Sequence, residues 1–299
     1  MKIGIIGLGK MGGNMVKRLL RDGHEVVGYD MSEENVKAAA DAGAEAADSI
    51  EGLVEGLEPP RAVWVMVPHG SPTEETIDSL IPLLDEGDVI VDGGNSHYTG
   101  SVQMARRLAD HGIDFLDAGV SGGVWGLDEG YCMMIGGPEA AFARLEPVFE
   151  TLAPKDGYAR VGPNGAGHFV KMIHNAIEYA MLQSIGEGFE CLARSDFGLD
   201  LQQIAGLWQH GAVVRSWLLE LLGRAFDQEG ADLKEIAPYI DDSGMGRWSI
   251  EYAVQNAIPL TNITQSVYER FASRLDERFS AKVIAALRNQ FGGHAVRTE

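Results

Sequence analysis

An α/β fold, in which a doubly wound parallel sheet is followed by an all-helical domain, is predicted by three features of the 299-residue sequence. Short apolar runs rich in Val and Ile alternate with helical patterns as far as about residue 161. Such near-continuous apolar strands belong in a parallel sheet covered on both faces. The first run passes straight into a glycine-rich turn that opens a helix, and past Gly167 the strands give way to apolar residues at three- and four-residue spacing.

Strands are expected at residues 2–7, 25–30, 62–67, 88–92 and 114–118, with a weaker last one ahead of residue 162. Ser71-Pro72-Thr73-Glu74 combines a capping Ser, a first-turn Pro and a third-position Glu, and so marks a helix start. The turn formers Gly162-Pro163-Asn164-Gly165 divide the chain into two expected domains, 1–163 and 164–299. A long helix should run from about His168 towards Cys191. Neither repeats nor low-complexity tracts interrupt the pattern.

Composition narrows the possible partners. Hydrophobic residues make up 45% and charged residues 23%, the balance of a folded globular chain. Lys and Arg number 24 against 44 Asp and Glu, and the net charge of -20 would repel a nucleic-acid backbone. An anionic substrate would therefore need basic residues gathered locally in its pocket. Cys132 and Cys191 lie far apart without metal-type spacing, so neither a disulfide scaffold nor a metal site is expected, and a cytoplasmic location fits. The first residues already read as strand rather than as a signal peptide, and no apolar run suits a bilayer.

Gly7-Leu8-Gly9-Lys10-Met11-Gly12 directly follows the first strand and opens a helix. Glycines there permit a tight turn and let backbone N–H groups approach a pyrophosphate. The second strand ends at Asp30, about 20 residues on, where a carboxylate can accept hydrogen bonds from a ribose diol. The first domain is thus expected to be Rossmann-type and dinucleotide-binding. Asp30 would repel a 2′-phosphate and Met31-Ser32-Glu33-Glu34 supplies no Arg, so NAD is favoured over NADP.

Three more strand ends fall at the same sheet edge, where ligands of open parallel sheets lie. They are Met66-Val67-Pro68-His69-Gly70, Asp92-Gly93-Gly94-Asn95-Ser96 and Gly119-Val120-Ser121-Gly122-Gly123. Each joins small residues to a polar group able to orient a ligand. Val67 and Pro68 are expected at the cofactor, and Asn95 near both cofactor and substrate.

Lys171, His174, Asn175, Glu178 and Tyr179 fall at i, i+3, i+4, i+7 and i+8, hence on one helical face, while Val170, Ile173, Ile177 and Met181 lie elsewhere. A polar stripe ordinarily faces water. This one mixes five chemistries in an otherwise apolar helix and lacks the repeated Glu and Lys pairs of a solvated face. Lys171 to Glu178 spans roughly 10 Å at ~1.5 Å per residue, which suits a six-carbon substrate.

With these segments in view, and with Gly167-His168-Phe169-Val170-Lys171-Met172-Ile173-His174-Asn175-Ala176-Ile177-Glu178-Tyr179 above all, the chain resembles the short-chain 6-phosphogluconate dehydrogenases of the β-hydroxyacid dehydrogenase family. The resemblance runs nearly end to end. It implies oxidative decarboxylation of 6-phosphogluconate to ribulose 5-phosphate and carbon dioxide with reduction of NAD, a step of the pentose phosphate pathway and gluconate utilization, without a metal. Lys171 would take the proton from the carbon 3 hydroxyl and later support the enediol as an acid, and Glu178 would protonate carbon 1. Ser121, Gly122, Gly123, His174 and Asn175 would hold the substrate. A Lys acts as a base near neutral pH only if burial or a neighbouring cation lowers its pKa, so a dry pocket is expected around Lys171.

The resemblance further implies that Tyr179 and Arg270 contact the substrate, and that Arg288 and His294 belong to a tail entering the neighbouring subunit's site. A homodimer or homotetramer with exchanged tails is then expected, the second domain serving substrate binding and oligomerisation. One departure stands out. Where the family often shows Lys-Gly-Thr-Gly-Lys-Trp, this chain has Ser243-Gly244-Met245-Gly246-Arg247-Trp248, which leaves Arg247 and Arg270 as candidates for the phosphate.

Two other readings compete. A related hydroxyacid dehydrogenase acting on a small substrate such as 3-hydroxyisobutyrate would share the dinucleotide site, Lys171 and Asn175, but has no use for His174, Glu178, Tyr179 and the tail. A non-catalytic dinucleotide sensor would have no use for an acid and a base on one helical face.

Overall fold

The computed structural model describes residues 1–297. Its strands are β1 (Lys2–Ile6), β2 (Glu25–Tyr29), β3 (Glu45–Ala46), β4 (Ala62–Val65), β5 (Val89–Asp92), β6 (Asp114–Ser121), β7 (Cys132–Gly136) and β8 (Tyr158–Gly162). They form one sheet in the order β3-β2-β1-β4-β5-β6-β7-β8. The five strands expected from the apolar runs are all present, and β8 is the weak last one. β7 runs antiparallel to β6, so the sheet is mostly, not wholly, parallel. A parallel return needs a crossover of a dozen or more residues, usually helical, and the short connection between β6 and β7 holds only a single 3-10 turn (Gly123–Trp125) and a four-residue helix.

Around the strands lie α1 (Lys10–Arg21), α2 (Glu33–Asp41), α3 (Ile50–Glu55), α4 (Ser71–Leu80), α5 (Tyr98–Ala109), α6 (Gly126–Glu129) and α7 (Glu139–Leu152). Strand alternation sorts the core onto two faces. Ile3, Ile5, Trp64 and Val91 pack with Met15 and Leu19 of α1 and Leu145, Val148 and Phe149 of α7. Ile6, Val63, Val65 and Ile90 face the other way, onto Leu53 of α3, Ile77 and Leu80 of α4, and Met104 and Leu108 of α5. The start of α4 differs in detail from expectation. Gly70, at φ 89°, is its cap and Ser71 its first residue, with no side-chain cap bond. The left-handed Gly has already turned the chain, so the Ser hydroxyl stands one position too late to cap.

The long helix α8 (Ala166–Ala193) has 28 residues and begins on the sheet. A Cβ at Gly167 would stand 2.8 Å from the backbone nitrogen of Gly136, so only glycine lets the helix lie this close to β7. The two compact units accordingly divide between His174 and Asn175, inside α8, beyond the expected boundary at 163/164. In the second unit α9 (Leu201–Leu207), α10 (Trp217–Glu229), α11 (Met245–Gln255), α12 (Thr261–Ala272) and α13 (Phe279–Gly292) follow, with no strand among the described residues. Phe189, Ala205, Leu219 and Phe226 form its core cluster. The expected end of this domain at 299 lies outside the described residues. No described helix is long and apolar enough to cross a membrane.

Candidate active site

Strand order reverses between β1 and β4, which opens a crevice at their carboxyl ends. The three glycines there have different duties. Gly7 has φ 94°, and a Cβ on it would stand 2.7 Å from the carbonyl carbon of Met66; a Cβ on Gly12 would collide with the carbonyl of Gly7. Both serve the fold. Gly9 would place a Cβ in open space, with nothing within 4 Å. It caps α1 without a side-chain hydrogen bond, and the first turn carries no acidic residue. Unfilled space before uncapped N–H groups fits a pyrophosphate.

Asp30, at the end of β2, accepts from the backbone N–H of Leu8 at 2.6 Å and of Ser32 at 2.7 Å. It thereby ties the glycine turn to β2, and each oxygen keeps acceptor capacity for a diol. Leu8 is buried, Met11 half-buried and Lys10 exposed. At the end of β4, Val67 is half-buried and Pro68 exposed, the Pro68 carbonyl accepting from the Thr73 hydroxyl at 2.9 Å.

After β5, Asn95 adopts φ 57°, a conformation its side chain tolerates better than most. Its amide bridges to β6, donating to the Val120 carbonyl at 3.2 Å and accepting from the Val120 N–H at 2.9 Å. Asn95 thus holds two strand ends together, and one N–H and one lone pair remain for ligands. Ser121 ends β6 half-buried, followed by Gly122 at φ 125° and Gly123 at φ 54°, which turn the chain where other residues would be strained.

Lys171 is 5% exposed. A Cβ at Gly119 would collide with the Cβ of Lys171 and stand 2.8 Å from the carbonyl of Gly167, so the bare strand backbone at β6 is what admits the lysine. His174 is half-buried farther along the same face. The polarity of α8 is inverted relative to a solvated helix: Lys171 and Tyr179 are buried, whereas Ile177 is 50% and Met181 41% exposed.

Asp117 lies outside the motifs at the strand ends. Fully buried inside β6, it accepts from the N–H of Gly165 at 2.7 Å and of His168 at 2.9 Å, across the start of α8. Burial pushes its carboxyl above the ordinary range, against the opposing pull of His168 and the two amides. Its signal in the sequence is an acid within the apolar strand Asp114-Phe115-Leu116-Asp117-Ala118.

In the second unit, Asn175 donates to the Met245 sulfur at 2.8 Å, and Glu178 is half-buried. The Tyr179 hydroxyl lies 3.0 Å from the Ser243 hydroxyl and accepts from the Ser243 N–H at 2.8 Å. Arg270 is buried, its guanidinium carbon 3.6 Å from the Tyr179 ring centroid, with one nitrogen donating to the Asp241 carbonyl at 2.8 Å. Arg247 is otherwise engaged. It forks onto Asp242 with two bonds of 2.8 Å, and Arg274 adds a third at 2.6 Å. The Asp242 side chain is 3% exposed, and the bond from Arg247, reinforced by Arg274, holds its carboxyl well below the usual range despite burial. Of the two candidates for an anion, Arg270 is the one not committed to a carboxylate. The sequence marks Asp242 only by the Asp241-Asp242-Ser243-Gly244 run before α11, and it does not mark Arg274.

Arg288 and His294 belong to the last helix and the segment after it. Arg288 is exposed on α13, which has no buried residue, and His294 is exposed beyond its Gly293 cap, its carbonyl bound by Asn289 at 2.9 Å.

Comparison with known proteins follows the same two parts. The family model for the NAD binding domain of 6-phosphogluconate dehydrogenase matches residues 2–162, and that for the 6-phosphogluconate dehydrogenase C-terminal domain matches residues 167–298. An NAD(+)-dependent, decarboxylating 6-phosphogluconate dehydrogenase of Haloferax volcanii is 47% identical over 99% of this chain and 98% of its own length. A decarboxylating 6-phosphogluconate dehydrogenase of Lactococcus lactis is 38% identical over 97% of this chain but only 65% of its own. Among solved structures, 6-phosphogluconate dehydrogenase of Plasmodium falciparum shares the fold with a TM-score of 0.84 at 24% identity, over 100% of this chain and 66% of that one. A 3-hydroxyisobutyrate dehydrogenase of Mycobacterium tuberculosis gives 0.73 at 24%, over 96% and 99%.

Proposed function

The chain belongs to the 6-phosphogluconate dehydrogenase family, and from that membership we propose that it oxidises and decarboxylates 6-phosphogluconate to ribulose 5-phosphate and carbon dioxide, with NAD as the cofactor. The observation that carries the proposal is the burial of Lys171 against Gly119, at the sheet edge where the dinucleotide crevice opens. An amine kept from bulk water can exchange a proton with a substrate hydroxyl.

Residues 1–163 bind the dinucleotide through the turn 7–12, Asp30, Val67, Pro68 and Asn95, and residues 164–299 bind the substrate. Held by these residues, a nicotinamide would supply the acceptor for the hydride of carbon 3. Lys171 takes the proton of the carbon 3 hydroxyl and returns it to that oxygen as carbon dioxide leaves, so that the enediol forms. It takes the proton up again as Glu178, two turns along α8, protonates the carbon that becomes carbon 1 of ribulose 5-phosphate. Ser121, Gly122, Gly123, His174 and Asn175 orient the sugar acid, while Tyr179 and Arg270 take the phosphate.

The chain works as a homodimer or homotetramer in the cytoplasm. Assembly is supported by α13, which has no buried residue and exposes Phe279, Ile284, Leu287 and Phe291. An exchanged α13 would bring Arg288 and His294 to a partner's site. The cytoplasm is supported by two unpaired cysteines.

The test is an assay of NADH formation and carbon dioxide release on 6-phosphogluconate and on gluconate, each with NAD and NADP. Expected are equimolar products with 6-phosphogluconate and NAD, and their loss in Lys171→Ala. NADH without carbon dioxide would instead favour a non-decarboxylating hydroxyacid dehydrogenase.

A further inference from the structure

The first turn of α8 is capped from outside the helix. An ordinary cap is the residue just before the first turn, whereas here both amides, Gly165 and His168, donate to the carboxylate of Asp117 in β6. Two residues farther along the same strand lies Gly119, against which the Cβ of Lys171 is pressed. A single stretch of β6 therefore fixes where the helix begins and how near its reactive turn stands to the sheet.

A second tie reaches the same turn from α5. His168, buried one turn ahead of Lys171, meets the Ser101 hydroxyl through Nδ1 at 2.7 Å, and its Nε2 has no hydrogen-bond partner. A buried carboxylate and a buried imidazole with one nitrogen unbonded weaken a fold relative to apolar side chains of similar volume. Stability alone does not account for them.

We propose that Asp117 and His168 are positioning residues for Lys171: the strand-borne cap and the tie to Ser101 set the rotation and depth of the first turns of α8, so that the amine meets the substrate hydroxyl. The inference rests on the reading of Lys171 as the base of a 6-phosphogluconate dehydrogenase. Neither residue touches the reacting atoms.

Asp117→Asn tests it, because an amide keeps the shape but offers one acceptor oxygen to two N–H donors. The turnover number on 6-phosphogluconate should fall about 10- to 100-fold, as misplacement by an ångström does, with the KM for NAD changed less than about twofold. In a Lys171→Met background the same substitution should leave residual turnover unchanged, since the effect passes through the amine. Full turnover in folded Asp117→Asn, or an equal loss in both backgrounds, overturns the proposal. Should Asp117→Asn fail to fold, Ser101→Ala carries the same cycle with the cap intact. Labelling of Lys171 by acetic anhydride, read by mass spectrometry, gives a measure without turnover. Its rate relative to other lysines should shift several-fold in Asp117→Asn, and no shift refutes the positioning role. Failure of the unsubstituted protein to turn over 6-phosphogluconate strikes only the functional reading.

Discussion

Arg270 lies with its guanidinium carbon 3.6 Å from the centroid of the Tyr179 ring, so the two side chains form a stacked plate beside Ser243. Stacking fixes the plane of the fork, and the bond to the Asp241 carbonyl leaves further N–H groups to donate. In the proposed function this pre-oriented Arg takes the substrate phosphate. Arg270→Lys keeps the charge and loses the plane. Its KM for 6-phosphogluconate is expected to rise about 10- to 100-fold, while residual turnover of gluconate changes little. Steady-state kinetics on the two substrates separates the cases.

Gly119→Ala should harm both the fold and the reaction. The added methyl collides with the Cβ of Lys171, so α8 must shift outwards. A loss of about 1–3 kcal/mol in urea unfolding is expected for such overpacking. A fall of about 100-fold in turnover should accompany it, because the amine moves with the helix.

Acid stability should depend on Asp242. Its folded carboxyl lies below the ordinary value of about 3.9, so the unfolded chain binds more protons in that interval. The contribution is therefore complete above about pH 4 and is lost as pH falls through the ordinary value towards the lowered one. Asp117 works in the opposite sense, since its raised carboxyl makes stability decline as pH climbs through its folded value. Asp242→Ala should cost about 2–3 kcal/mol near neutrality, at or below the foot of the range for a broken buried pair because Arg247 is 50% exposed. It should also flatten the acid limb of unfolding midpoints measured against pH.

Asp30→Ala should narrow the preference for NAD. The substitution removes the acceptor for a ribose diol together with the anchor of Leu8 and Ser32, and it removes the charge that repels a 2′-phosphate. A rise of about tenfold in the KM for NAD with a smaller change for NADP is the expected pair of results. Unaltered discrimination between the two cofactors would show that selectivity lies elsewhere.

What could be read in advance divides along physical lines. Strands buried on both faces, such as Ala62–Val65 and Val89–Asp92, announce themselves as apolar runs, and the turn 7–12 is fixed by spacing alone. β7 does not, because Cys132-Met133-Met134-Ile135 carries a single β-branched residue, and β3 is two residues long. The polar stripe of α8 was legible from its period, but its inward direction needed the neighbours that bury Lys171 and Tyr179. Partnerships between distant residues were beyond reach. Nothing in the sequence says that Asp242 engages Arg247, which removes one of two candidate anion contacts, or that Asp117 reaches forward to Gly165 and His168.

The vacant room around Gly9 separates two kinds of information in one short turn. Its neighbours at 7 and 12 answer to the architecture of the polypeptide, while position 9, open on its Cβ side, answers in the proposed function to the dinucleotide. A methyl or isopropyl group there should lower the melting point of the ligand-free protein only by the modest cost of a poorer cap on α1 and erase the upward shift that a nucleotide causes. Such a variant would be an intact molecule blind to its coenzyme.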